Sequence, residues 1–236
     1  MVIKGDFIFY PDVRFLVVAM KRRIDSVGFD CDDVILDTHN SRMPRIMQAG
    51  ERMGLVIPPE KIGDIYDESD MFTLFPGLDR GHFSEIYRSL DAVYSAVHGA
   101  KEVLAFLEGY GMRKWMFTSR YAVDLQKRMN QVEIDLAQFH PVVTAETVSH
   151  RAKTDQVAFE ICTENLLQAG LDPSRALYID DSLASYMTGK AVGFNMVLLP
   201  HGPKSRGYET LVPPEDILPS MTELPDFLSR RGYDLS

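Results

Sequence analysis

The chain has 236 residues and is 45% hydrophobic, ample for one or two cores, yet no apolar run is long enough to cross a membrane. A formal charge of -9 argues against nucleic acid or an anionic membrane surface as a partner, since neither would meet a basic face. The two cysteines, Cys31 and Cys162, form no disulfide framework and point to a reducing compartment, the cytoplasm.

Residues 1–25 read as an N-terminal extension packing on the core. Its apolar run ends in Lys21, Arg22 and Arg23, the reverse of the charge order in a secretory signal. Ser26 to Phe29 then reads as a buried strand that stops at a cluster of acids, Asp30, Asp32, Asp33 and Asp37. Two aspartates one residue apart on a rigid strand end repel each other unless a cation or a shared proton relieves them. A hard divalent cation with oxygen ligands is the natural partner.

Helical patterns follow over 44–53, 59–67 and 82–97, delaying the next strand and forming an insertion over 38–98, with hinges expected at 38–40 and 98–99. Within it Arg42, Arg45, His82, Tyr87 and Arg88 are chemically able to touch a ligand, and the pattern singles out none of them. From Gly99 a helix over 101–108 leads to the strand KWMF, which ends at Thr118, Ser119 and Arg120. A helix over 122–129 and a strand near 141–143 lead to Arg151 and Lys153. Thr154 is the expected cap of the next helix, through the amide of Val157, and Gly170 marks that helix's stop. The strand ALYI ends at Asp180, Asp181 and Ser182, with Ser182 capping a helix to Val192. A strand in FNMVLLP and a helix near 222–228 complete the chain. Three strand ends that carry polar side chains converge if the sheet is parallel, because ligands bind outside the carboxyl ends where strand order reverses. Cys31, flanked by acids, is expected to stay a protonated, inert thiol.

These segments resemble the haloacid dehalogenase superfamily of aspartate-nucleophile hydrolases. The resemblance is carried by Asp30, Cys31, Asp32, Asp33, Val34 and Ile35 after the first strand, by Thr118 with Ser119, by Lys153 through Phe159, and by Asp180, Asp181 and Ser182. It implies an α/β fold, a Rossmann-like parallel sheet over 26–37 and 99–236, with the residues at 38–98 as an all-helical cap after the first core strand. It further implies a phosphatase of small soluble phosphate monoesters, such as a sugar phosphate, a phosphoglycolate-like acid or a nucleoside monophosphate. Asp30 would be the nucleophile and Asp32 the general acid and base; Thr118, Ser119 and Lys153 would bind the phosphoryl group. Mg²⁺ would be held by Asp30, Asp32 through its main-chain carbonyl, and Asp181, with Asp180 either a further ligand or a partner to the ligands. A phosphomutase of the beta-phosphoglucomutase type uses the same core and is the alternative, and a non-catalytic phosphate-binding module is the third reading. Asp32 favours phosphoryl transfer over dehalogenation, because a halide leaves without a proton and an alkoxide does not. Two departures stand out: Asp33 where the family usually has Gly, and Thr154 where it often has Pro. The expected partner is a small phosphorylated metabolite, with neither nucleic acid nor membrane, and the chain is expected to act as a monomer or homodimer.

Overall fold

The computed structural model describes residues 24–62, 65, 66, 68–231 and 233. The expected N-terminal extension, apart from Ile24 and Asp25, lies outside these residues. Five strands, β1 (Ser26–Phe29), β2 (Arg113–Phe117), β3 (Phe139–Val143), β4 (Ala176–Asp180) and β5 (Asn195–Leu198), form one parallel sheet in the order β3-β2-β1-β4-β5. Strand order reverses between β1 and β4, which places a crevice at the ends that carry Asp30 and Asp180.

Both faces of the sheet are covered, so its strands read as unbroken apolar runs while their side chains still alternate between two cores. Val27, Phe29, Met116, Leu177 and Ile179 pack with α5 (Ala100–Gly109), α6 (Ala122–Gln131) and α9 (Leu224–Arg230). Trp115, Phe117, Tyr178, Met196 and Leu198 pack with α7 (Gln156–Gln168) and α8 (Leu183–Ala191). Gly28 serves this second face: a β-carbon there would lie inside the indole of Trp115, which stacks on Tyr178 with centroids 5.2 Å apart. The last helix is tied back by Asp216, a buried carboxylate that accepts from Tyr186 (2.7 Å), Lys190 (3.0 Å) and Arg231 (2.7 Å). No helix among the described residues is long and apolar enough to cross a membrane.

Between β1 and β2 stand α1 (Thr38–Arg52), α2 (Pro59–Ile62), α3 (Glu68–Leu74) and α4 (Arg80–Ser89). They share an apolar cluster of their own, with Ile46, Ala49, Ile65, Met71 and Phe83 at its centre. The boundaries differ from the sequence expectation. Helix α1 begins at Thr38, capped by the Asp37 carboxylate, and carries Pro44 inside it. Pro44 has no amide to give the carbonyl of Asn40, but both residues are exposed, so water can serve that carbonyl. The expected long helix over 82–97 stops at Ser89. The residues after it return extended and bridge Leu36 through Ala96, with Asp37 donating to the Ser95 carbonyl and Val97 to that of Ile35, both at 2.9 Å. This antiparallel stem ties the two ends of the insertion together beside the crevice.

Candidate active site

Asp30 is buried at the end of the central strand, where its amide donates to the Ile179 carbonyl of β4 (2.9 Å) and its Oδ1 accepts from the Cys31 amide (2.6 Å). Its Oδ2 lies 2.8 Å from the Lys153 ammonium. Burial lifts the Asp30 carboxyl to about 6, with Lys153 pulling the other way and the charges of Asp180 and Asp32 adding to the rise. Lys153 also donates to Asp180 (2.7 Å) and to the Tyr178 hydroxyl (3.2 Å). It is buried, and the two carboxylates outweigh the cost of desolvation and hold it firmly charged. Tyr178 in turn donates to the Phe117 carbonyl (2.7 Å), so the ammonium is aimed by a hydroxyl anchored in the sheet. Helix α7 starts later than expected: Asp155, not Thr154, caps it by accepting from Val157 (3.0 Å), and Lys153 sits in the turn just before it. Arg151 pairs with Asp155 (2.7 Å) on the surface and stays out of the site.

Asp180 is saturated, accepting from the Ser182 amide (2.8 Å), the Ser185 hydroxyl (2.8 Å) and Lys153. Asp181 is the opposite case. Fully buried, it has no hydrogen-bond partner among the described residues at either oxygen, and the Lys204 ammonium stands 3.7 Å away, beyond hydrogen-bond reach. Burial therefore pushes its carboxyl well up. A buried carboxylate with both oxygens unmet needs a cation. One oxygen each from Asp30, Asp180 and Asp181 lies within 4.8 Å of the others, a donor set of hard oxygens that suits a divalent ion. Asp33, Asp37 and His201 are gathered equally closely, but donors from His39, Tyr66 and Asn40 take both of those carboxylates, whereas the first group includes Asp181 with both oxygens unmet and is the better fit to an ion.

The Asp32 side chain is not in the carboxylate cluster; of the four expected metal ligands, it is the one that could serve only through its main chain. Its Oδ1 accepts from Arg120, through Nε at 3.0 Å and through Nη2, and from the Thr38 hydroxyl. Burial pushes this carboxyl up, but the Arg120 guanidinium and Thr38 more than reverse it, leaving it at about 2. Thr118 is buried at the end of β2 and its hydroxyl accepts from the Arg120 amide (3.2 Å), while Ser119 is exposed on the loop.

Asp33 turns away from Asp30. Its φ of 60° is the left-handed region where glycine is at home, which accounts for the residue usual at this place in the resembled family. An aspartate tolerates it here because its carboxylate is fully employed, accepting from the His39 amide (2.7 Å) and from the hydroxyl of Tyr66 in the insertion (2.6 Å). The Tyr66 ring stacks on His39 and lies under two cations, Lys204 at 4.3 Å and Arg42 at 5.2 Å from its centroid. Cys31 is buried and its thiol is pushed well up, first by burial and then by Asp32, in keeping with an inert group.

The family model for haloacid dehalogenase-like hydrolases matches residues 27–199, from β1 through β5. The chain belongs to that family. Among solved structures, a haloacid dehalogenase family hydrolase from Deinococcus radiodurans R1, crystallised with bound phosphate and sodium, is 19% identical. It aligns over 89% of this chain and 97% of its own, with a TM-score of 0.73. A putative phosphatase from Clostridium difficile is 17% identical, with coverages of 88% and 100% and a TM-score of 0.70. A predicted phosphoglycolate phosphatase from Haemophilus somnus is also 17% identical, with coverages of 86% and 97% and a TM-score of 0.61. At these identities the likeness is one of fold. No curated protein matches the chain. As a haloacid dehalogenase-like hydrolase, the chain presents Asp30, Thr118, Asp180 and Asp181 at adjoining ends of three parallel strands, with Lys153 reaching in from the turn before α7. Tyr178, Tyr66 and Lys204 are contributors that the sequence did not mark, and Arg120 was marked only as a polar residue at a strand end.

Proposed function

We propose that the protein is a Mg²⁺-dependent phosphatase of small phosphate monoesters. The observation that carries the reading is the buried Asp30 carboxylate, poised between the Lys153 ammonium and the unmet carboxylate of Asp181 at the reversal of strand order. An anionic nucleophile attacks a phosphate dianion only where fixed positive charge gathers both. Mg²⁺ held by Asp30, Asp180, Asp181 and the main-chain carbonyl of Asp32 would supply that charge to the phosphoryl oxygens. Lys153 adds its own charge and keeps the Asp30 oxygen oriented. The Thr118 hydroxyl and the amides around Ser119 hold the non-bridging oxygens.

Asp30 then forms an oxygen–phosphorus bond as the bond from phosphorus to the leaving oxygen breaks, giving an aspartyl-phosphate. Asp32 gives its proton to the leaving oxygen and afterwards takes one from the water that cleaves the intermediate. Because Arg120 holds Asp32 ionised, loading that proton requires the pair to loosen as substrate enters. The inserted helices, hydrogen-bonded to the core at Asp33, serve as a cap that keeps stray water out. Two buried, unpaired thiols favour a cytoplasmic enzyme.

Purified protein with Mg²⁺ is expected to release phosphate from p-nitrophenyl phosphate, and to lose this on chelation or in Asp30→Asn with an unchanged circular dichroism spectrum. Release by Asp30→Asn at the wild-type rate, or none by the wild type, would sink the reading.

A further inference from the structure

Of the arginines near the junction of insertion and core, Arg120, Arg128 and Arg45 are already engaged, as is Arg231 beyond α9. Arg120 is taken by Asp32 and Asp124, Arg128 holds Asp124 at 2.7 Å, Arg45 lies on the Tyr87 ring and donates to its carbonyl at 2.9 Å, and Arg231 belongs to Asp216. Arg42 makes no hydrogen bond or ion pair with a described residue; its guanidinium rests on the Tyr66 ring, half buried. It stands one turn beyond Thr38 on the same face of α1, and the Thr38 hydroxyl touches Asp32. Its charge reaches Asp32, His39 and Arg128, and the neighbouring Arg128 Nη1 is buried without a hydrogen-bond partner among the described residues. Lys204 approaches the same ring but sits 3.7 Å from Asp181, on the side of the carboxylate cluster.

Position decides what Arg42 is for. If Asp32 serves the leaving oxygen, a cation beside Asp32 on the insertion lies over the leaving group and not over the phosphoryl oxygens. A half-buried guanidinium with an open fork is suited to a planar or tetrahedral anion. We propose that Arg42 selects the leaving group, and that this group carries a second anion, a carboxylate or a further phosphate, a few bonds from the ester oxygen. The proposal rests on the phosphatase reading and narrows it to acidic phosphate monoesters. The Tyr66 ring holds the guanidinium in readiness, and Arg128 adds positive potential behind it.

The test compares kcat/KM, with Mg²⁺, for propyl phosphate, 2-carboxyethyl phosphate and propane-1,3-diol bisphosphate, using p-nitrophenyl phosphate as the general probe. The wild type should favour one or both acidic esters over propyl phosphate by about ten- to hundredfold, chiefly through KM. Arg42→Met, which keeps the apolar stem on Tyr66, should bring that ratio to within about threefold, and Arg42→Lys should fall between. The acid preferred by the wild type tells carboxylate from phosphate. Calorimetry on Asp30→Asn gives the same comparison as binding, and the preference should vanish when Arg42→Met is added. Should Arg42→Met not fold, Arg42→Lys and the wild-type ratio still decide. A wild type that turns over p-nitrophenyl phosphate without favouring acidic esters, or a preference that survives loss of Arg42, overturns this inference alone. If no ester is hydrolysed, the phosphatase reading falls and the inference with it.

Discussion

The Tyr66 hydroxyl donates to the Asp33 carboxylate at 2.6 Å, joining the inserted helices to the loop that follows Asp30. Asp33 is fully buried, so its oxygens have no water to turn to. Tyr66→Phe leaves one acceptor unmet and should destabilise the protein by about 1–2 kcal/mol, read as a lower urea midpoint with an unchanged slope. A midpoint equal to wild type would mean that the contact is not held in solution.

Asp181→Asn should act in opposite directions on the two metal states. Without Mg²⁺ it replaces a buried carboxylate that has no hydrogen-bond partner among the described residues, so the melting temperature should rise. The upward shift that Mg²⁺ gives the wild type should be lost, since a ligand that binds only the folded state raises its stability. Scanning fluorimetry with Mg²⁺ and with chelator reads both effects.

The same burial predicts a pH response. The folded-state pKa of Asp30 is raised from 3.8 to about 6, and that of Asp181 is raised as well. A carboxyl with a raised folded pKa contributes stability that is complete below about 4 and is lost as pH climbs through about 6. Asp32, lowered to about 2, is ionised in both states above pH 5 and adds nothing there. Metal-free protein should therefore melt several degrees higher at pH 5 than at pH 7.5, and Asp30→Asn should shrink the difference. A melting temperature that rises steadily from pH 5 to 7.5 would contradict the assignment.

Arg120→Met should be severe, because it strands Asp32 with only the Thr38 hydroxyl. Breaking a buried pair from one side costs on the order of 3 kcal/mol. Freed from the guanidinium, Asp32 should titrate higher, and the acid limb of kcat should move upward in pH. Urea titration and a pH–rate profile measure the two consequences independently.

The strand ends of the candidate site were readable because a parallel sheet puts polar groups at predictable chain positions: Asp30, Thr118, Lys153, Asp180 and Asp181 each follow or precede a recognisable apolar run. What could not be read are the contacts made across long separations. Nothing around Arg120 announces that it will reach back to Asp32, and Tyr178 looks like one more strand residue until its hydroxyl meets Lys153. Asp33 was legible only as an anomaly, since its partners Tyr66 and His39 belong to the insertion. The helix before Gly170 shows a smaller limit. Thr154 and Asp155 are both good caps, and it is the start of α7 at Gln156 that selects the second.

The position of β1 at the middle of the sheet bears on how the protein is made. The ribosome delivers Ser26–Phe29 before either flanking strand exists, for the neighbours begin at Arg113 and Ala176. Asp33 can meet Tyr66 early and Asp32 can meet Arg120 later, but the nascent chain must carry Asp30 without Lys153 and the Asp180–Asp181 pair until β4 has emerged. Release of a chain that stops before Asp181 would thus yield no partly active product.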